Sequence, residues 1–343
     1  MAQARIHAIA LRGIVSALPT TVEGEAEMAA RFGADQARRI AAATGIRQRH
    51  IIGPDQCMSD LAVPAAHALL ADLGWLAGTI DLLITVTQTP DHPLPATACL
   101  LQQRLGLGRH CAAFDVGLGC SGYVYGLWLA ASLLSGMGRG RCLLVAGDTT
   151  SRTLDRDDRS VAPLFGDAAS VTALEFDPGA GMLTIDAGTD GTGAPYLIQP
   201  GGGARRPDGG KLFMDGTQVF AFTLREVPKA IAATLAAADC DIRMMDHVVL
   251  HQANEMMVRR LGQKIGADTG QMVMALADRG NTSSASIPLA ICDTLGPSLR
   301  SDRRHLLLSG FGVGWSWATA VWQVGPVDTC RTILVDRDGL VTG

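Results

Sequence analysis

Asp115-Val116-Gly117-Leu118-Gly119-Cys120-Ser121-Gly122 is the stretch on which the fold is decided. The apolar run from Cys111 to Val116 has the length of a buried strand, and Gly122 to Leu134 has the character of a helix. Cys120 then falls at a strand-to-helix elbow, with its sulfur near a helix N-terminus. The helix dipole and the free N–H groups there favour thiolate over thiol, so a lowered pKa is expected. The flanking glycines let another backbone or a thioester approach closely. Taken alone, a cysteine in this setting also suits a small buried hydrophobe.

Working outward, further strands are expected at Ile6 to Val15, Ile80 to Thr87, Cys142 to Ala146, His247 to His251, His305 to Ser309 and Trp317 to Val324. Helices are expected at Asp60 to Leu73, Thr97 to Leu105, Gly216 to Ala237, Asn254 to Ile265 and Ser283 to Leu295. This alternation indicates an α/β protein with sheets covered by helices. A length of 343 residues suits about two domains or one duplicated unit. The second option has support in the order of elements. Val248-Val249-Leu250-His251 leads to a helix at Asn254, much as Ala112 to Val116 leads to the helix after Cys120.

Composition removes several function classes. Hydrophobic residues at 48% with only 18% charged exclude a disordered chain. Lysine and arginine number 29 against 33 acidic residues, so no basic field recruits nucleic acid or an anionic membrane. The start lacks a targeting pattern, and glycines interrupt the most apolar stretches before they reach membrane-spanning length. Eight cysteines without a CxxC pair read as reduced thiols of a cytoplasmic protein.

Other residues have weaker local signals. His247 and His251 have metal-ligand spacing for a helix, but on a strand four residues span about 13 Å, too far for one ion. Asn281, in Gly280-Asn281-Thr282-Ser283-Ser284, reads as a turn followed by helix-capping hydroxyls. Gly310-Phe311-Gly312-Val313-Gly314 lacks the third spaced glycine of a dinucleotide loop and leads toward a strand.

These segments gain meaning from their order. The chain resembles the β-ketoacyl-acyl carrier protein synthase III family of the thiolase superfamily from about Arg5 to Val324. The likeness rests on Thr44-Gly45-Ile46-Arg47-Gln48-Arg49-His50-Ile51, the Cys120 elbow, Leu164-Phe165-Gly166-Asp167-Ala168-Ala169, His251-Gln252-Ala253-Asn254, Gly280-Asn281-Thr282-Ser283 and Gly310-Phe311-Gly312. It implies a thiolase-like fold, with duplicated βαβαβ halves in a five-layered α-β-α-β-α core. The halves would span 1–178, with the nucleophilic Cys, and 179–324, with His and Asn. A C-terminal extension, 325–343, has no assigned role.

The resemblance also implies an acyltransferase that performs decarboxylative Claisen condensation. Cys120 would hold the acyl starter, and His251 and Asn281 would donate to the enolate left by CO2 loss from malonyl-acyl carrier protein. Backbone N–H groups of Cys120 and Val313 would form the oxyanion hole. Arg159, Asn254, Phe165 and Leu94 would bind substrate, Leu94 by crossing into the partner's pocket in a homodimer. Arg259, Arg260 and Lys264 would dock the acyl carrier protein. Neither a cofactor nor a metal is implied; coenzyme A or carrier thioesters are substrates. Where the family commonly has a Trp and an Arg at the coenzyme A nucleotide, Arg39 and Ala43 stand here, so a carrier-bound donor is plausible. Asn281 cannot act as a carboxylate base, which favours decarboxylation over non-decarboxylating condensation. Transfer of the acyl group to an alcohol or amine is the alternative activity. A silent partner subunit is disfavoured because all three site residues are present.

Overall fold

In the computed structural model, which describes residues 2–339, 341 and 342, successive residues of the strand Arg141–Asp148 face opposite ways. Leu144 and Ala146 join one apolar cluster and Leu143 and Val145 another, as in a sheet buried on both faces. This sheet has seven strands in the order Val341–Thr342, Thr329–Val335, Ile9–Pro19, Ala168–Phe176, Arg141–Asp148, Leu82–Val86 and Ala112–Val116. A second sheet has five, in the order Ala2–Ile6, Leu183–Thr189, Ser316–Val324, Arg304–Gly312 and His247–Leu250.

Eight α-helices occur among the described residues. They are α1 (Glu25–Phe32), α2 (Ala34–Thr44), α3 (Met58–Leu73), α4 (Thr97–Arg104), α5 (Gly122–Met137), α6 (Gly216–Ala237), α7 (Glu255–Ile265) and α8 (Ser286–Ser301). Helices α5 and α8 lie between the sheets and share one apolar cluster with both. α5 is apolar almost all round, as a helix sandwiched between two sheets must be. α3 and α4 cover the outer face of the seven-stranded sheet, and α6 and α7 that of the five-stranded one. The result is the five-layered α-β-α-β-α arrangement expected. No helix is long and apolar enough to cross a membrane, among the described residues.

Several elements depart from the sequence expectations. The strand expected from Ile6 to Val15 is two strands in different sheets, separated at Ala8, whose φ is 65°. The helix expected from Ser283 begins as a 3-10 turn, Ser283–Ala285, before α8. α1 and α2 precede Gly45 where no helix was expected, and the strands Ala168–Phe176 and Leu183–Thr189 were likewise not anticipated. The 325–343 segment supplies Thr329–Val335, which pairs in parallel with Ile9–Pro19 inside the seven-stranded sheet.

Candidate active site

Cys120, His251 and Asn281 line one cavity of about 410 Å³. Each arrives from a different element. Cys120 follows the parallel strand Ala112–Val116 and precedes Ser121, the N-cap of α5. His251 follows His247–Leu250, its N–H bonded to the Ser309 carbonyl at 2.8 Å. Asn281 is bridged to the Phe165 segment: its N–H donates to Leu164 O at 2.8 Å, and Gly166 N–H donates to its carbonyl at 3.1 Å. Gly280 permits this approach. Its φ is +70°, and a Cβ there would lie 2.8 Å from Leu164 O.

The segments that carry the resemblance brace this geometry. Buried Arg49 donates to the carbonyls of Ala162 and Phe165 and pairs with Glu23 at 2.7 Å. Asp167 accepts from the N–H groups of Ile52 and Ser151, both at 3.0 Å. Asn281 is thereby held by the 164–166 segment, which Arg49 and Asp167 fix in turn.

The Cys120 thiol is 9% exposed, and burial pushes its pKa up to about 12, with the nearby charge of Asp148 adding to the rise. The Ser283 hydroxyl, 3.9 Å from Sγ, and the N–H groups of Cys120 and Val313 act in the opposite direction but only partly offset it. The lowered thiol pKa expected from the helix N-terminus is therefore corrected: desolvation outweighs the dipole. The N–H groups of Cys120 and Val313, expected to form an oxyanion hole, both act on the Cys120 sulfur.

His251 is buried, which pushes its pKa down to about 3 and leaves the imidazole neutral near pH 7. Its Nδ1 lies 2.7 Å from Ser286 Oγ. We assign the ring proton to Nε2, with the Ser286 hydroxyl donating to Nδ1, because that tautomer leaves a donor for the cavity. Asn281 Oδ1 accepts from Ser283 N–H at 2.9 Å, leaving its NH2 end available. The helix-capping role expected for the Ser and Thr hydroxyls is not found at α8: no side chain caps it. Ser283 and Ser284 instead reach Cys120 and Asp148, and Ser286 reaches His251.

The other anticipated residues divide. Phe165 and Asn254 line the cavity, and Asn254 also caps α7 by accepting from Met257 N–H at 2.8 Å. Arg159 is exposed on the loop after Leu154 and does not line the cavity. Leu94 is 86% exposed and lies outside the cavity of its own chain. Arg259, Arg260 and Lys264 are exposed on α7. Arg259 is paired with Glu255 at 2.6 Å and Lys264 is bonded to Leu224 O at 2.8 Å, while Arg260 has only a 3.4 Å contact with Gln263. Ala43, on α2, shares a shallow groove with Arg259 and Arg260. Sequence inspection missed Asp148 and Ser286. The only signal for Asp148 is an acid at the end of an apolar strand.

Comparison with known proteins identifies the family. The family model of 3-oxoacyl-[acyl-carrier-protein] synthase III matches residues 114–191, and that of its C-terminal part matches residues 235–324. A β-ketoacyl-[acyl-carrier-protein] synthase III of Xanthomonas campestris pv. campestris is 37% identical over 287 residues, 82% of this chain and 88% of that protein. The crystal structure of a 3-oxoacyl-(acyl-carrier protein) synthase from Burkholderia xenovorans LB400 is 39% identical. It superposes with a TM-score of 0.94 and covers 97% of this chain and 99% of its own. A priming β-ketosynthase of the R1128 polyketide pathway is 27% identical with a TM-score of 0.85, covering 93% of this chain and 97% of its own. The chain belongs to the β-ketoacyl-[acyl-carrier-protein] synthase III family and is an acyltransferase-type enzyme on the thiolase-like fold.

Proposed function

We propose that the protein joins an acyl starter to malonyl-acyl carrier protein by decarboxylative Claisen condensation. The observation that carries this is the pair of neutral donors beside the nucleophile. His251 is held uncharged by burial, and Asn281 has its oxygen end occupied by Ser283. Cys120 Sγ attacks the starter thioester and keeps the acyl group, releasing the donor thiol. The malonyl thioester then loses CO2, and the electrons of the broken C–C bond move into an enolate whose oxygen faces His251 Nε2 and Asn281 Nδ2. Attack on acyl-Cys120 forms the new C–C bond. The oxyanion of that step faces the N–H groups of Cys120 and Val313, and collapse frees the Cys120 sulfur.

Leu197, Leu212, Met214, Val219 and Met257 give the cavity an apolar wall suited to a thioester arm and an acyl chain. Exposed Leu94 fits the piece that one subunit lends to its partner in a homodimer, and Arg260 is the α7 cation best placed to meet an acidic carrier helix. Incubation with acyl thioesters and malonyl-acyl carrier protein tests the reaction. A β-ketoacyl product with one CO2 per turnover supports it; an ester or amide without CO2 release overturns it.

A further inference from the structure

The C-terminal strand Thr329–Val335 is tied by side chains to the loop that carries Asn281. Arg279 stands two residues before Asn281, and its Nε donates to Asp293 Oδ2 on α8 at 2.9 Å. The other oxygen of Asp293 accepts from Thr332 Oγ1, on the C-terminal strand, at 2.6 Å. One carboxylate therefore holds the loop with one oxygen and the strand with the other. The opposite side of the Arg279 guanidinium meets His50. His50 Nδ1 lies 2.6 Å from the Pro19 carbonyl, which can only accept, so Nδ1 carries the proton and Nε2 accepts from Arg279 Nη1 at 3.3 Å. The strand is anchored in turn by Asp72 on α3, which accepts from Thr329 Oγ1 at 2.7 Å and from Arg331 Nε at 2.8 Å.

Helix α8 makes a second connection. Ser286, whose hydroxyl meets His251 Nδ1, precedes Asp293 by seven residues. Seven residues are close to two turns, so both side chains leave one face of the helix, about 10.5 Å apart along its axis. A single helix thus holds the His251 ring at its first residue and the Asn281 loop two turns later. The Arg279–Asp293 pair is 28% and 16% exposed, so water and salt screen it less than a surface pair. Movement of Arg279 also reaches Asn281 through the backbone. A Cβ at Gly166 would collide with the Arg279 carbonyl, and Gly166 N–H donates to the Asn281 carbonyl.

From these contacts we propose that Asp293 is a positioning residue for malonyl decarboxylation, and that Thr332 makes the C-terminal strand part of the frame that sets Asn281 against His251. The proposal rests on His251 and Asn281 being the enolate donors. Neither Asp293 nor Thr332 lines the catalytic cavity, so both act through Arg279 and not on substrate. Acyl loading on Cys120 does not use the Asn281 amide and is independent of the frame.

The test follows both half-reactions in the whole protein. Acyl loading is read by intact mass in a single turnover, and decarboxylation by CO2 release from malonyl-acyl carrier protein with the unacylated enzyme. Asp293→Ala is expected to slow decarboxylation about tenfold, because a sub-ångström shift of a donor has that scale of effect, with loading within about twofold of the parent. Thr332→Val, which keeps the shape of the strand residue and removes only its hydroxyl, should slow decarboxylation about threefold, and Thr332→Ser should restore it. In an Asn281→Ala background, Asp293→Ala should cost nothing further, since residues that act as one unit are not additive. An equal fall in loading and decarboxylation overturns the proposal, as does a further tenfold loss in the Asn281→Ala background. Parent-like decarboxylation in Asp293→Ala also overturns it; if that variant does not fold, parent-like decarboxylation in Thr332→Val does so. Parent-like decarboxylation in Asn281→Ala alone would instead refute the donor role on which the proposal rests.

Discussion

Ser283 N–H donates to Asn281 Oδ1 at 2.9 Å, and this bond settles which end of the amide meets the cavity. An Asn whose oxygen is occupied is a donor to an enolate and not an acceptor of protons. Asn281→Ala is therefore expected to retain acyl loading while losing malonyl decarboxylation by roughly 100- to 1,000-fold, the usual cost of deleting one oxyanion donor. Separate assays of the two half-reactions check this. Loss of loading with intact decarboxylation would reverse the assigned roles.

Burial of His251 makes a prediction about pH. Its folded pKa lies near 3, against an ordinary value of 6.5, so it stays neutral across pH 5–8. NMR of the His251 ring should show no titration in that range, and decarboxylation should carry no His251 inflection near pH 6.5. Because the unfolded chain takes up this proton below about pH 6.5 and the folded chain does not, the His251 contribution to stability is lost as pH falls from about 6.5 toward 3. Urea midpoints should decline over that window by less in His251→Asn than in the parent.

Gly312 touches Cys120, the proposed nucleophile. A Cβ there would lie 2.7 Å from Cys120 Cβ and 3.0 Å from Sγ, inside normal contact distance. Gly312→Ala should displace the sulfur and slow acyl loading by about 100-fold, since misplacement by about 1 Å has that scale of effect. Circular dichroism should show the fold retained. Unchanged loading would mean that the sulfur position is not critical.

Much of the fold was legible because its strands and helices follow clear apolar periods. α6 spans Gly216–Ala237 as expected, and α7 begins after Asn254 as its cap. The strands Ala168–Phe176 and Leu183–Thr189 were hidden by small and polar residues such as Ser170, Thr172 and Asp186, which are buried only by partners distant in sequence. The fate of Ile6 to Val15 depended on a single left-handed residue, Ala8, that no periodicity reveals. At the candidate site, motif order picked out Cys120, His251 and Asn281, which the fold brings to one cavity. The Cys120 pKa was not, because burial and the charge of Asp148 arise only after folding.

The cations of α7 are unequal. Glu255 neutralises Arg259, and Lys264 is held by the Leu224 carbonyl, so Arg260 has the freest charge of the three. Arg260→Glu should raise KM for malonyl-acyl carrier protein about fivefold with kcat nearly unchanged, and added salt should shrink the difference. Steady-state kinetics at two ionic strengths measure this; a larger effect at Lys264 than at Arg260 would contradict the assignment.

The central claim is that Cys120 carries the acyl group and surrenders it to a carbanion formed by CO2 loss. Intact-protein mass spectrometry tests it most directly, first with an acyl thioester and then after addition of malonyl-acyl carrier protein. The predicted result is a mass increment of one acyl group that is absent in Cys120→Ala, and its discharge only with equimolar CO2 release. An increment that persists in Cys120→Ala, or one that leaves without CO2, would contradict it.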